Sequence, residues 1–201
     1  MPSRSGFSLL EIIIVIAVAA TIVLVVGNFS NNTVALQGLV TQELQSKSDA
    51  AIVIQTAANE IRGMSQSANG AYPIAAAGTT TFIFYSDINK NGTPLRIRYF
   101  LASSSLYKGV TVATGSPATY PTSTETVADV LDNIVTPSST PIFTYYDSSY
   151  TGTQQPLAQP VTVSAIRLVG IQFTVNSNAS KTSEPQGFST LVDIRNLKSN
   201  Q

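Results

Sequence analysis

The chain of 201 residues contains no cysteine, no histidine and no tryptophan. Without cysteine or histidine it cannot form a disulfide, a Ser-His-Asp or Cys-His catalytic group, or an ordinary zinc site. Charged residues make up only 11% of the chain, against roughly 25% in a typical soluble domain. The 11 basic and 11 acidic side chains leave no net charge that would attract nucleic acid. These absences disfavour most enzyme classes and indicate a membrane or assembly context.

Proline is missing from residues 3–71, whereas nine of the ten prolines and all eight tyrosines lie at or beyond Tyr72. Because proline breaks helices, its absence leaves the N-terminal third free to form one long helix. Strand and turn formers are concentrated in the remainder. The predicted fold class is therefore α+β, with a long N-terminal helix packed on a C-terminal antiparallel β-sheet domain.

The N-terminal region contains one long apolar run, Phe7 to Val26, interrupted only by Ser8, Glu11 and Thr21. A helix of this length is about 30 Å long, which matches the hydrocarbon core of a bilayer. In lipid every backbone amide needs an internal partner, so the segment must be helical. The sequence predicts a single transmembrane helix.

Glu11 is the one ionisable residue inside this run. A carboxylate within an apolar span costs on the order of 2.5 to 3.5 kcal/mol. Either Glu11 lies near the membrane interface, or a cation from a neighbouring subunit neutralises it. A new N-terminal amine, produced by cleavage just upstream, would be such a cation.

Residues 4–11, with the sequence Arg-Ser-Gly-Phe-Ser-Leu-Leu-Glu, and the apolar run that follows resemble the class III signal of type IV pilins and pseudopilins. The resemblance implies that prepilin peptidase cleaves between Gly6 and Phe7 and methylates the new amino terminus of Phe7. It also implies that Glu11 pairs with the terminal amine of an adjacent subunit. Residues 1–6 would be the leader, 7–34 the transmembrane and assembly half of the helix, and 35–201 the pilin-like globular domain with the second half of the helix.

The resemblance further implies a place in the cell and a set of partners. The chain would cross the bacterial cytoplasmic (inner) membrane once, with its C-terminal domain outside the cytoplasm, and would then enter a pilus or pseudopilus. Its partners would be prepilin peptidase, other pilin or pseudopilin subunits, and lipid before assembly. We expect a structural subunit without enzymatic activity or cofactor.

Within that family the C-terminal region looks most like the minor pseudopilin J class of type II secretion systems and its minor-pilin relatives, which act in initiation or at the fibre tip. The resemblance rests on an Asp-x-Asn-x-Asn-Gly turn and the order of five later segments: 97–101, 106–108, 130–134, 143–147 and 192–197.

Other interpretations remain open. Ala17-Val18-Ala19 resembles a signal-peptidase site, which would make residues 1–19 a secretory signal, and an uncleaved plain anchor is a further alternative. A major pilin is the alternative within the family. From other classes, a membrane-anchored protein for DNA uptake or adhesion comes next, and an enzyme last.

Beyond the apolar run, apolar residues recur every three, four or seven positions, which predicts an amphipathic helix with one stripe facing a sheet. The stripe comprises Leu36, Val40, Leu44, Ala51, Ile54, Ala58 and Ile61. Gly70 and Pro73 mark the end of the pattern. The helix is therefore predicted from Phe7 to about Ser67, on the order of 90 Å in length.

Alternating apolar residues predict the strands of the globular part. Residues 81–85 and 95–101 form a hairpin around the turn 87–92, with Leu95, Ile97, Tyr99 and Leu101 on one face and Arg96 and Arg98 on the other. Further strands are predicted at 105–112, 142–146, 166–175 and 188–197, and a short helix at 127–134. In the last strand Val192 and Ile194 face opposite to Asp193 and Arg195.

The hairpin turn carries Asp87, Asn89, Asn91 and Gly92, which match the opening of an EF-hand calcium loop. The twelfth position is Arg98 instead of glutamate, and the flanking segments are strands. A polar hairpin turn is the favoured interpretation, and weak calcium binding the alternative.

Charges in the globular part are segregated along the chain. Residues 88–124 contain four bases and no acid (Lys90, Arg96, Arg98 and Lys108), and residues 125–166 contain four acids and no base (Glu125, Asp129, Asp132 and Asp147). These charges either pair within the domain, or form two solvated faces, or dock complementary subunits through residues such as Arg96 and Arg98. Nucleic acid is disfavoured as a partner, because four bases without a dense aromatic platform bind it poorly.

Overall fold

The computed structural model describes residues 8–137, 139–176 and 184–194, with side chains inside the helix at all positions except 28, 30–36 and 39. The chain divides into two units, Met1–Leu44 and Gln45–Gln201. The predicted α+β class is confirmed, since an N-terminal apolar helix is followed by antiparallel sheet.

The described residues form one α-helix, eight strands and two single-turn 3₁₀ helices at Thr122–Thr124 and Val163–Ala165. Five strands make one antiparallel sheet in the order β1-β2-β3-β4-β5, and three make a second sheet in the order β6-β7-β8. The bounds are α1 Leu9–Arg62, β1 Ile74–Ala77, β2 Thr81–Ser86, β3 Leu95–Ala102, β4 Ser105–Thr111, β5 Thr126–Leu131, β6 Phe143–Tyr146, β7 Leu168–Val175 and β8 Gln186–Asp193.

The predicted hairpin around residues 87–92 is confirmed as β2 and β3, paired in unbroken register from Thr81↔Phe100 to Ser86↔Leu95. Leu95, Ile97 and Tyr99 are buried, and Leu101 packs partly buried against the same core. Arg96 and Arg98 lie on the opposite face, because successive side chains of a strand alternate between faces.

The predicted strands at 105–112, 142–146 and 166–175 are confirmed as β4, β6 and β7, each within two residues at either end. The predicted strand 188–197 corresponds to β8, which begins two residues earlier and ends at Asp193. Val192 and Ile194 are both fully buried, as the alternation predicts. Residues 195–197 lie outside the described residues.

The predicted short helix at 127–134 is wrong, because Thr126–Leu131 forms strand β5. The apolar residues Val127, Val130, Leu131 and Ile134 have helical spacing, but β4 offers an unpaired edge along which this segment pairs antiparallel. The β-branched residues Thr126, Val127 and Val130 suit an extended backbone. Tertiary pairing therefore overrides the local pattern.

The helix ends at Arg62, not near Ser67 as predicted. The Ser86 hydroxyl lies 3.0 Å from the carbonyl oxygens of both Glu60 and Gly63 and donates at the point where the helix stops. Met64 then pairs with Ser86 as an isolated antiparallel bridge, so the chain is already extended. The sequence also missed strand β1, which is rich in alanine and pairs with β2.

The predicted helical stripe is correct at its C-terminal end and wrong before it. Ala58 and Ile61 are buried and Ile54 packs partly buried on the core, whereas Val40, Leu44 and Ala51 are exposed and the side chain of Leu36 is not described. The face that packs in the second unit instead begins at Ala50 and includes Val53 and Ala57. A straight α-helix drifts against a seven-residue repeat, so a stripe extrapolated over many turns leaves the packed face.

An aromatic cluster joins the two sheets in one core. Phe82 of β2 lies 5.2 Å from Phe84, 5.8 Å from Phe143 of β6 and 5.5 Å from Tyr145 of β6, measured between ring centroids. The Tyr145 hydroxyl donates to the Gly78 carbonyl at 2.7 Å, which satisfies a polar group that would otherwise be buried alone. The globular unit is thus held by aromatic packing across the two sheets.

Candidate functional site

One helical segment among the described residues, Leu9–Gly27, is long and apolar enough to cross a membrane. None of its 19 residues is buried by other parts of the described chain. Ile and Val are abundant in it, and these side chains are exposed by half or more of their surface, for example 62% for Ile16 and 69% for Val23. Exposure of this much apolar surface to water is unfavourable, which is compatible with a membrane-spanning segment.

The helix satisfies its own polar groups within this segment, except at one position. The Thr21 hydroxyl bonds to the Ala17 and Val18 carbonyls at 2.7 and 3.0 Å, so it adds little cost in lipid. Glu11 lies in the first turn and is exposed, and its carboxylate forms no hydrogen bond or ion pair with another residue that the structure describes. Its charge is therefore available for a partner outside the described part of the chain.

The predicted cleavage site, Gly6 and Phe7, lies outside the described residues. The first described residue is Ser8, whose carbonyl accepts the backbone N–H of Glu11 at 3.0 Å and that of Ile12 at 3.3 Å. Among the described residues, these bonds open helix α1. The cleavage and N-methylation of Phe7 remain predictions.

The hairpin turn that resembles a calcium loop is held by its own hydrogen bonds. The Asp87 carboxylate accepts the backbone N–H groups of Asn91 at 3.1 Å and Gly92 at 2.8 Å, and the Asn91 side-chain oxygen accepts that of Thr93 at 2.9 Å. Gly92 has a positive φ of 79°, which favours glycine there. This geometry agrees with the polar-turn interpretation. Among the described residues there is no group of three acidic residues arranged to hold a metal ion.

Arg96 and Arg98, the candidate docking residues, lie beside one acid of the same domain. Arg98 binds the Glu125 carboxylate through two hydrogen bonds, from Nε at 2.9 Å and from Nη2 at 2.5 Å. Arg96 Nη1 lies 3.7 Å from the same carboxylate. The Arg98 guanidinium also stacks over the Phe100 ring, 3.9 Å from its centroid. The structure therefore favours pairing within the domain for these two arginines.

The titration of the pair follows from this geometry. Hydrogen bonding to Arg98 lowers the pKa of Glu125 below its usual value, and the same bonds raise the pKa of Arg98. A bidentate guanidinium–carboxylate hydrogen bond is stronger than an ion pair with a single contact. Glu125 belongs to the acidic residues 125–166 and Arg98 to the basic residues 88–124. Although these charges are separated along the chain, this pair brings one of each sign into contact in the folded domain.

Sequence reasoning missed a buried polar network between the helix and the first sheet. Glu60 is 9% exposed, and its carboxylate accepts a hydrogen bond from the Tyr99 hydroxyl at 2.7 Å and a charged one from Lys108. Burial and the Glu60 charge raise the pKa of Tyr99 well above its usual value, so the phenol stays protonated and donates. The only sign of this network in the sequence was the position of Glu60 next to the apolar stripe. A glutamate at such a position is usually exposed to solvent.

Three acids from separate parts of the chain come together at one surface groove. Asp129 and Asp132, at the end of β5, line a groove of about 320 Å³ with Asp49 of the helix. Partial burial, and then the nearby Asp132 carboxylate, raise the pKa of Asp129. Asp132 also accepts a hydrogen bond from the Ser105 hydroxyl. The lining, which also includes Ser46, Val130, Leu131 and Asn133, contains no lysine or arginine among the described residues.

No protein-family model matches the chain, and no curated protein matches it either.

Proposed function

We propose that this chain is a structural subunit of a membrane-derived fibre: a minor pseudopilin of a type II secretion pseudopilus, or a minor pilin of a type IV pilus. The observation that carries the proposal is the apolar helix Leu9–Gly27, which is wholly unburied and has one ionisable residue, Glu11, in its first turn. A plain anchor does not need a carboxylate at that depth. A subunit that packs against copies with free amino termini does.

The assembly mechanism follows from the cost of that carboxylate. In lipid, Glu11 is tolerated at a cost of no more than about 3 kcal/mol, the cost of a charge at the helix centre, because it lies in the first turn. When helices leave the membrane and pack together, an uncompensated charge costs more, and a cation from the neighbouring subunit removes that cost. In the neighbouring subunit, the amine of Phe7 would supply this cation once that subunit has been cleaved after Gly6. The pairing would also set the axial offset between neighbouring helices.

The globular unit would act in partner selection, at the tip or in initiation. Its two sheets present a varied polar surface, and several of its charges are already paired, such as Arg98 with Glu125 and Lys108 with Glu60. Selection would then depend on the charges and backbone groups that the domain leaves unpaired.

The proposal is tested by the mass of the N-terminal peptide and of the intact protein, purified from the membranes of its own host. A mature chain that begins at N-methylated Phe7 is the expected result, because only the prepilin pathway produces it. A chain that begins at Ala20 or Thr21 would identify an ordinary secretory signal and overturn the proposal. An intact Met1 would identify a plain anchor and overturn it as well.

A further inference from the structure

Strand β5 forms an open edge of the five-stranded sheet. It is the last strand in the order and pairs only with β4. Thr126, Val127, Ala128 and Asp129 are all exposed, and their backbone forms no hydrogen bond with described residues on the side away from β4. An edge strand directs alternate N–H and C=O groups outward, where another strand can pair with them.

Two other edge strands, β1 and β6, are partly covered by the chain itself, whereas β8, at the far edge of the second sheet, pairs only with β7 among the described strands. Strand β1, at the far end of the same sheet, lies against the Val163–Ala165 turn. In the second sheet, the Tyr145 carbonyl of edge strand β6 accepts the backbone N–H of Leu157 at 2.8 Å. Lysine and proline, which commonly protect edges, are absent from β5. A register shift opposite Leu106 and Tyr107 interrupts its C-terminal end, so four regular residues remain for pairing.

The charge at this edge defines the partner that fits it. Asp129 lies on the open strand and shares the groove of about 320 Å³ with Asp132 and Asp49. The mutual repulsion of Asp129 and Asp132 is relieved when a cation binds between them. No described basic side chain lines this groove, whereas the carboxylates of Glu60 and Glu125 each have a cation from the domain.

We propose that β5 is a docking edge that pairs with an extended segment of another protein, through residues 126–129, and that a lysine or arginine of that segment enters the acidic groove at Asp129 and Asp132. Backbone hydrogen bonds would supply most of the affinity, and the basic side chain would set the register. A second copy of this chain is the poorer occupant, because the β5 of that copy brings Asp129 and Asp132 instead of a base.

This inference goes beyond the proposed function and does not depend on it. The docking edge belongs to the unit from Gln45 onward, whereas the fibre proposal depends on Gly6, Phe7 and Glu11. Failure of the edge to bind leaves the N-terminal mass measurement unaffected, and an intact N-terminus leaves the edge unaffected.

The test uses the full chain in detergent micelles and a synthetic peptide, acetyl-Thr-Lys-Val-Lys-Val-Thr-amide. Hydrogen–deuterium exchange should show slower exchange of the amides at residues 126–130 when the peptide is added, because strand pairing protects them. The same peptide N-methylated on alternate residues should give no protection, and a version with Glu in place of Lys should bind at least fivefold more weakly.

Matched variants distinguish binding at the docking edge from a general effect of the negative charge of the protein. Asp129→Asn with Asp132→Asn should weaken binding of the lysine peptide about fivefold, on the scale of two exposed ion pairs. Asp147→Asn, at a half-buried acid that follows β6 and does not line the groove, should leave it unchanged. The proposal is overturned if the N-methylated peptide binds as well as the parent, or if protection appears elsewhere. It is also overturned if the chain alone protects residues 126–130 in proportion to its concentration, since the occupant would then be a second copy.

Discussion

Two glutamates on the same helix, Glu11 and Glu60, have opposite surroundings. Glu60 lies at the interface between helix and sheet, 9% exposed, and its carboxylate is satisfied by Tyr99 and Lys108. Glu11 lies in the first turn of the helix, within the apolar segment Leu9–Gly27. The described chain supplies no partner for its carboxylate. A carboxylate in an apolar setting must be compensated. The comparison shows that the described fold supplies partners for the Glu60 carboxylate and none for the Glu11 carboxylate.

The largest effect is expected at Glu11. Glu11→Leu removes an insertion cost of no more than about 3 kcal/mol, so the level of the protein in the membrane should stay the same or rise. Recovery of the subunit in sheared fibres should nevertheless fall at least tenfold, because the neighbouring amine loses its counter-charge. Immunoblots of membrane and fibre fractions measure both quantities.

Two further variants separate charge from shape at this position. Glu11→Gln keeps the size but not the charge, and should be lost from fibres nearly as strongly as Glu11→Leu. Thr21→Val removes a hydroxyl that bonds only within the helix and should assemble normally. Normal fibre recovery of Glu11→Leu would show that the carboxylate is not an assembly group.

The second effect is expected at Glu60. Glu60→Leu leaves Lys108 without its counter-charge and Tyr99 without an acceptor, which should lower the free energy of unfolding by about 3 kcal/mol. This estimate lies at the low end of the range for buried pairs, because the Lys108 side chain keeps 17% exposure. Urea unfolding of the full chain in detergent, followed by tyrosine fluorescence, measures the globular unit.

A double variant shows whether the loss comes from the uncompensated lysine. Glu60→Leu combined with Lys108→Met removes both charges and should recover most of the stability. Glu184→Gln, at an exposed glutamate, should change little. If the double variant is as unstable as Glu60→Leu alone, the loss reflects packing and not charge pairing.

The smallest effect is expected at Glu125, because its partner Arg98 keeps 27% exposure to water. Since Arg98 depresses the pKa of Glu125 in the folded state, the pair contributes stability above the usual value of 4.5, and this stability is lost as the pH falls through the folded pKa. Glu125→Gln should therefore be less stable than the wild type at pH 7, by about 1 kcal/mol or less because water screens the pair. The stabilities of the two proteins should converge as the pH falls through the folded pKa of Glu125, as measured by urea unfolding at each pH.

The Arg98 pair also changes how the docking hypothesis is tested. Reversing Arg96 and Arg98 to Glu would place two carboxylates beside that of Glu125 and would weaken the domain itself. Loss of partner co-purification would then be ambiguous. Arg98→Glu with Glu125→Arg keeps the internal pair while moving each charge, so a loss of partners from that double variant alone would support docking through Arg98.

The accuracy of the sequence predictions varied with the range of the interactions involved. The hairpin β2–β3 was predictable because its alternation has period two and its turn carries Asp87 and Gly92, which bond within the turn itself. Residues 127–134 were predicted as a short helix, whereas Thr126–Leu131 forms a strand that depends on pairing with the edge of β4. The end of the helix was missed because Ser86, a distant residue in sequence, supplies the hydrogen bonds there.

The candidate sites divide in the same way. The apolar run and Glu11 were found from the sequence, because both depend on residues within one helix. The partners of Glu60 and Glu125, and the meeting of Asp49 with Asp129 and Asp132, were not found, because each joins residues on separate elements.

By itself the sequence determined the α+β class, the single apolar helix and its lone carboxylate, since these follow from local composition and from the cost of burying polar groups. Only the tertiary structure decided that the strands form two sheets joined at Phe82, which charges are paired inside the domain, and that β5 is left as an open edge. The physical reason is that pairing and burial depend on which distant segments come into contact, and a periodic pattern in one segment does not contain that information.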